Sequence, residues 1–225
     1  HDDKKTYTHI KQKLEKCGYK VYEKVLNTMD YTDVPQNRER IYIIGLLNEN
    51  DKKNFEIFKD IESRIKKKDK VSRIKDIKKV IDYNLTKKNA TKYYYTKEKY
   101  PNYFMSDEEF EKSNKKEKIN LTTQVDEMYE FYQCRRGMYV RKNQSGVCPT
   151  LTANMGTGGH NVPLIKVNDG IRKLTPKETF KLQGFPIDNG YKLPTVINGR
   201  PYPDSQLYKQ AGNAVSVPVI QMLAT

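Results

Sequence analysis

The sequence predicts an α/β fold: the tail of a doubly wound sheet, joined to a smaller, irregular unit of mixed α+β type. Three observations carry that expectation. Helix, strand, loop and strand signals follow one another within the first 47 residues, which is α/β order. Composition then shifts to lysine and acidic residues over 48–118. After that come short aromatic and β-branched runs broken by glycine and proline. A doubly wound sheet needs several βα units. Only its end is legible here.

Residues 6–17 read as a helix, because Tyr7, Ile10, Leu14 and Cys17 recur on one face of a 3.6-residue period. Gly18 stops it. Residues 19–26 read as a strand, 27–37 as a loop and 41–47 as a second strand. Between loop and strand stands Gln36-Asn37-Arg38-Glu39-Arg40. Arginines at i and i+2 before an extended run are expected on one side of the chain. Forked guanidinium groups there suit phosphate or a base edge, and a surface arginine pair is the plainer alternative.

Residues 48–118 hold two apolar stripes at helical spacing, Phe55-Phe58-Ile61-Ile65 and Ile74-Ile77-Ile81, within lysine-rich runs. They read as solvated helices with basic faces, or as a surface that tracks phosphates. Tyr93, Tyr94, Tyr95 and Tyr100 are packing residues or base-stacking ones, and 113–118 is linker-like. Arg135, Arg136 and Arg141 surround short β-type residues, followed by a turn at 143–146 and an expected strand at 147–153. Three glycines fall within 156–159. A phosphate-cradling loop would open a helix, but an extended run follows, so a flexible loop entering a DNA groove fits better. Thr175, Pro176 and Glu178 form a helix start with a capping box. This helix reads as structural, a support for the glycine loop. Residues 191–204 read as loop, Gly212-Asn213 as a turn, and Pro218 as the first turn of a final helix.

Bulk properties narrow the partners. The 225 residues carry 42 Lys+Arg against 28 Asp+Glu, a net charge of +14, which favours a polyanion, nucleic acid first. No apolar run approaches the roughly 20 residues of a membrane span, and His1-Asp2-Asp3-Lys4-Lys5 is no secretory signal. Cys17, Cys134 and Cys148 form neither a disulfide framework nor a zinc pattern, so a reducing compartment and no metal are expected, cytoplasmic and associated with DNA if the source is bacterial or phage.

Four separated stretches resemble one family in one order. Gln36-x-Arg38-x-Arg40 resembles motif VIII of the DNA (cytosine-5) methyltransferases. Arg172-Lys173-Leu174-Thr175-Pro176-Lys177-Glu178 with Leu182-Gln183-Gly184-Phe185-Pro186 resembles motif IX, and Gln210 through Pro218 resembles motif X. Between motifs VIII and IX that family places its target recognition domain, which ends in a Thr-Leu-Thr-Ala segment and glycine loop, as 150–159 do here.

The resemblance implies a Rossmann-like catalytic domain that uses S-adenosylmethionine, a small recognition domain, and double-stranded DNA between them. By the same resemblance, residues 1–47 are the C-terminal part of the catalytic domain. Residues 48–206 are the recognition domain, with motif IX at 172–186, and 207–225 return to the catalytic domain. The reaction implied is methyl transfer to C5 of a flipped cytosine. Arg38 and Arg40, supported by Gln36, would hold the flipped nucleotide, and Asn213, Ala214 and Val215 would close the cofactor pocket. Arg135, Arg136, Arg141, Thr150, Thr152, Gly158 and Gly159 would contact DNA.

No Phe-x-Gly-x-Gly cofactor loop, Pro-Cys-Gln nucleophile or Glu-Asn-Val occurs. Cys148 precedes its proline and reads as a small apolar residue. The chain is therefore expected to be the C-terminal portion of such an enzyme. Most of the cofactor contact and the nucleophile would come from an N-terminal half or a complementary subunit. A bacterial or phage modification enzyme is the default source. The alternatives are a DNA-binding fragment without chemistry and a fragment that folds poorly alone.

Overall fold

A computed structural model describes residues 5–50, 56–63, 69–114, 118–135, 139–157 and 161–224. Of the residues singled out above, Phe55, Ile65, Arg136, Gly158 and Gly159 lie outside the described set. Arg135 is described in its backbone only.

The first unit follows the sequence closely. Helix α1 (Lys5–Lys16) ends at Gly18, whose φ of +88° suits a residue without a Cβ. Strands β1 (Lys20–Asn27) and β2 (Glu39–Leu46) pair antiparallel, from Lys20↔Leu46 to Asn27↔Glu39. The loop between them holds a short helix, α2 (Thr28–Tyr31), capped by the Asn27 side chain. One face of the ribbon is covered. Leu26 packs with Ile61 of α3 (Ile57–Glu62) and Val219 of α9 (Val217–Ala224), so the two chain ends share one small core. The cross-strand partners Val25 and Ile41 are about half exposed.

The middle of the chain builds a four-stranded antiparallel sheet in the order β4-β3-β5-β6. Its strands are β3 (Phe131–Arg135), β4 (Tyr139–Lys142), β5 (Leu164–Val167) and β6 (Gly170–Lys173). Alternate residues of a strand face opposite sides, and both sides are apolar here. Phe131 and Ile165 are register partners in the larger core, with Leu174, Phe180, Leu207 and Ala211. Their neighbours Tyr132 and Leu164 are partners in a second core, with Ile119, Leu121 and Val125. Helix α4 (Lys70–Val80) adds Ile77 to the larger core. Helices α5 (Asp107–Glu111) and α6 (Leu121–Gln124) are short and capped by Ser106 and Asn120. The tyrosines resolve as packing residues: Tyr94 is fully buried, and Tyr95 lies 4.6 Å from the Tyr100 ring.

Helix α7 (Pro176–Lys181) carries the expected capping box. The carboxylate that closes it also grips a fully buried arginine. Glu178 accepts two hydrogen bonds from Arg172, at 2.6 and 2.8 Å, and others from the backbone N–H groups of Thr175 and Asp82.

Three local expectations fail. Residues 147–153 do not form a strand: only Cys148 bridges, in parallel, to Gln36, and a 3-10 turn follows at Ala153–Gly156. The available partner is the short 35–37 segment, and Pro149 has no N–H to extend a ladder. Gly212-Asn213 is not a turn but the last residues of α8 (Asp204–Asn213). Gly212 is needed for proximity, since a Cβ there would collide with the Thr152 carbonyl. Residues 191–204 are not all loop: β7 (Val196–Ile197) and β8 (Arg200–Pro201) form a hairpin. Asn198 and Gly199, both at positive φ, make its two-residue turn.

Candidate functional site

The four stretches that carry the resemblance meet at one buried junction, built around the side chains of Gln36, Arg38 and Gln183. The backbone of 35–37 lies beside Cys148. Asn37 N donates to Cys148 O and Cys148 N to Pro35 O, each at 2.8 Å. Thr150 Oγ1 then donates to Asn37 O at 2.7 Å. Gln36 is fully buried, and its amide works in both directions. Its Oε1 accepts from Leu151 N at 3.2 Å, while Nε2 donates to Leu182 O. Gln183 continues the chain: Nε2 donates to Ala211 O at 2.7 Å, and its own carbonyl accepts from Val217 N at 2.8 Å.

Arg38 crosses the junction from the other side. Nη1 donates to Leu151 O at 2.9 Å, and Nη2 to Ala214 O at 2.7 Å and Gly212 O at 3.4 Å. Its Nε is buried without a partner. Burial, with Arg40 nearby, lowers its pKa to about 10, so it stays charged at neutral pH. Asn27 sets its backbone, its Oδ1 accepting from Arg38 N at 3.0 Å.

The expectation that Arg38 and Arg40 share one side is therefore corrected. Arg38 precedes β2 and turns inward to carbonyls. Arg40 lies on the strand, exposed, and donates to Glu39 O at 2.6 Å. The interior offered Arg38 three carbonyl acceptors 113 to 176 residues away in the chain. No local pattern reveals them.

Other candidates lie around the junction. Thr150 is half-buried and bound to Asn37, and Thr152 is exposed. Asn213 and Val215 are exposed and Ala214 half-buried, its carbonyl held by Arg38. Arg141 is exposed on β4, opposite Gln133. The glycine-bearing segment rests directly on α8 rather than on α7. Gly156 meets Ser205 O near the N-terminus of that helix, and Gly212 meets Thr152 near its C-terminus. Gln183 and the Arg172–Glu178 pair were not among the expected functional residues. Gln183 carries no local signal, whereas the Glu178 capping box marks a carboxylate free to take a second partner.

Cys148 is fully buried, and burial pushes its thiol well above the usual range. The thiolate is the nucleophilic form, and burial here works against it. Among the described residues no group of His, Cys, Asp or Glu could hold a metal ion. No described helix is long and apolar enough to cross a membrane.

The family model for C-5 cytosine-specific DNA methylase matches residues 1–225. Type II methyltransferase M.Bsp6I of Bacillus sp. (strain RFL6) is 42% identical over 224 residues, covering 100% of this chain and 60% of the relative. Type II methyltransferase M.HaeII of Haemophilus aegyptius is 35% identical over 224 residues, covering 100% of this chain and 55% of the relative. The chain thus spans between half and two thirds of these relatives' length. Among solved structures, S. pombe Dnmt2 methyltransferase superposes with a TM-score of 0.55 at 16% identity, over 99% of this chain and 61% of that one. That likeness is one of fold, a part of the α/β methyltransferase architecture. The family match runs through both the ribbon that carries Gln36 and the helices that Gln183 ties to it, and the chain belongs to the C-5 cytosine-specific DNA methylase family.

Proposed function

We propose that this chain supplies DNA recognition and part of the active site for methyl transfer from S-adenosylmethionine to C5 of a flipped cytosine in a specific duplex sequence. The observation that carries the reading is the junction itself. Hydrogen bonds from Gln36, Arg38 and Gln183 hold the 148–152 segment, the end of α7 and the end of α8 in one frame. A base in the stack is out of reach, so it must be extruded and gripped. Arg40, exposed beside this frame, is the residue placed to hold the flipped nucleotide or its phosphate. Gln36 and Arg38 act as positioning residues.

Asn213 and Val215 offer one amide and one apolar side chain on an exposed edge, which fits one rim of a cofactor site rather than a whole pocket. S-adenosylmethionine, when bound, supplies the methyl group. Asn213, Ala214 and Val215 would hold its edge, with most contacts coming from a complementary N-terminal portion or subunit. That portion would also bring the nucleophilic cysteine, since Cys148 and Cys134 are buried and the exposed Cys17 follows a lysine rather than a proline. The exposed Val25 and Ile41 of the ribbon are a natural seat for it.

On this reading 1–47 and 207–225 belong to the catalytic domain and 48–206 to the recognition domain. Arg135, Arg136, Arg141, Thr150, Thr152, Gly158 and Gly159 are its DNA contacts, and the enzyme acts on DNA in the cytoplasm of a bacterial or phage-infected cell. The test is reconstitution. Mixing or co-expressing this chain with an N-terminal half containing Pro-Cys-Gln should give labelled methyl transfer to duplex DNA. A folded complex that transfers no methyl group would refute the assignment.

A further inference from the structure

The β7–β8 hairpin plays no part in the junction, yet it has a defined base and turn. Ile197 pairs with Arg200 across the Asn198-Gly199 turn, and Tyr202 N closes the base on Thr195 O at 2.8 Å. Leu193 and Tyr202 root it on the larger core, and Gln210 of α8 donates to the Tyr202 hydroxyl at 2.8 Å. Its far end is bare. Val196 and Ile197 are 59% and 51% exposed, Arg200 is exposed, and among the described residues no atom lies within 4 Å of where a Cβ on Gly199 would be.

Its position is fixed relative to the recognition segment. Thr152 lies against Gly212 at the C-terminal end of α8, and Gly156 against Ser205 at the N-terminal end. The segment therefore runs antiparallel to the helix and leaves it at Thr157, at the end where the hairpin enters through Pro203. Charge matches as well. Residues 189–203 contain Lys192 and Arg200 and no carboxylate.

We propose that this hairpin is a further DNA-contacting element, with Arg200 on a backbone phosphate of the duplex and Ile197 against the adjoining sugar edge. A two-stranded ribbon that presents a guanidinium near the 152–157 segment suits phosphate contact, which sets register without reading bases. The inference rests on the DNA-methylating reading above and adds a contact outside the expected recognition loops.

The experiment uses the reconstituted enzyme and a labelled duplex of random sequence, titrated across a range of salt concentrations. Arg200→Ala should weaken binding roughly 3–10-fold near 0.1 M salt and reduce the salt slope by about 0.9, one phosphate contact. Arg200→Glu should weaken it further, and cofactor binding should match the parent. Arg200 is exposed, so thermal melting should not change in either variant. Parental affinity and slope in both variants would overturn the hairpin assignment. So would weaker assembly of the enzyme with an unchanged slope, which would make the hairpin a protein contact. A parent enzyme that binds no duplex would instead refute the underlying functional reading.

Discussion

Arg172 and Arg38 are both buried guanidinium groups, and the molecule handles them in opposite ways. Arg172 lies behind α7 with a bidentate carboxylate partner, Glu178. Burial alone would lower its pKa, but the Glu178 contact more than offsets this and the net shift is upward. Arg38 lies at the junction with only carbonyl oxygens for partners and a lowered pKa, while the Nε of both arginines is buried without a hydrogen bond. One charge is neutralised from within, as a fixed structural element requires. The other keeps a net positive charge beneath the exposed edge proposed to meet a polyanion. The difference separates a residue that holds the fold from one that positions a site.

Substitutions can break or sharpen that contrast. Glu178→Ala leaves the Arg172 charge buried and unpaired, and should cost about 3–5 kcal/mol in urea unfolding. Arg38→Met removes its own charge and strands only carbonyls, so about 1–3 kcal/mol is expected. A larger loss for Arg38→Met than for Glu178→Ala would reverse the comparison. Thr175→Ala removes the cap of α7 and should cost about 1 kcal/mol. It tests whether the Arg172–Glu178 pair persists without its helix start. Arg40→Ala should change stability by no more than about 0.5 kcal/mol, yet abolish methyl transfer in the reconstituted enzyme with only a modest loss of DNA affinity. Normal transfer by that variant would remove Arg40 from the site.

The parts of this fold that were legible in the sequence are those set by neighbours in the chain. The α7 capping box needs only Thr175 and Glu178, and β1 and β2 need only their runs of apolar residues. Cys148 reads as a small apolar residue, and it is fully buried. The errors lie where distant backbone decides. Gly212 reads locally as a turn, and only the closeness of Thr152 explains a glycine inside a helix. Arg38 reads as a surface cation, and only Leu151 and Ala214 explain its burial. The hairpin was missed although Asn-Gly between short apolar runs is a strong local signal. Proline on both flanks hid it within what looked like loop.

The two glycine contacts along α8 have a consequence for interchangeability. Gly156 and Gly212 clamp the 152–156 segment at both ends of one helix, so this stretch behaves as a mounting plate. Different loops could be grafted after Thr157 and still present their side chains from the same origin and in the same direction. Exchange of specificity between relatives would then be a matter of where to cut: after Thr157 the frame survives, and before Thr152 it does not.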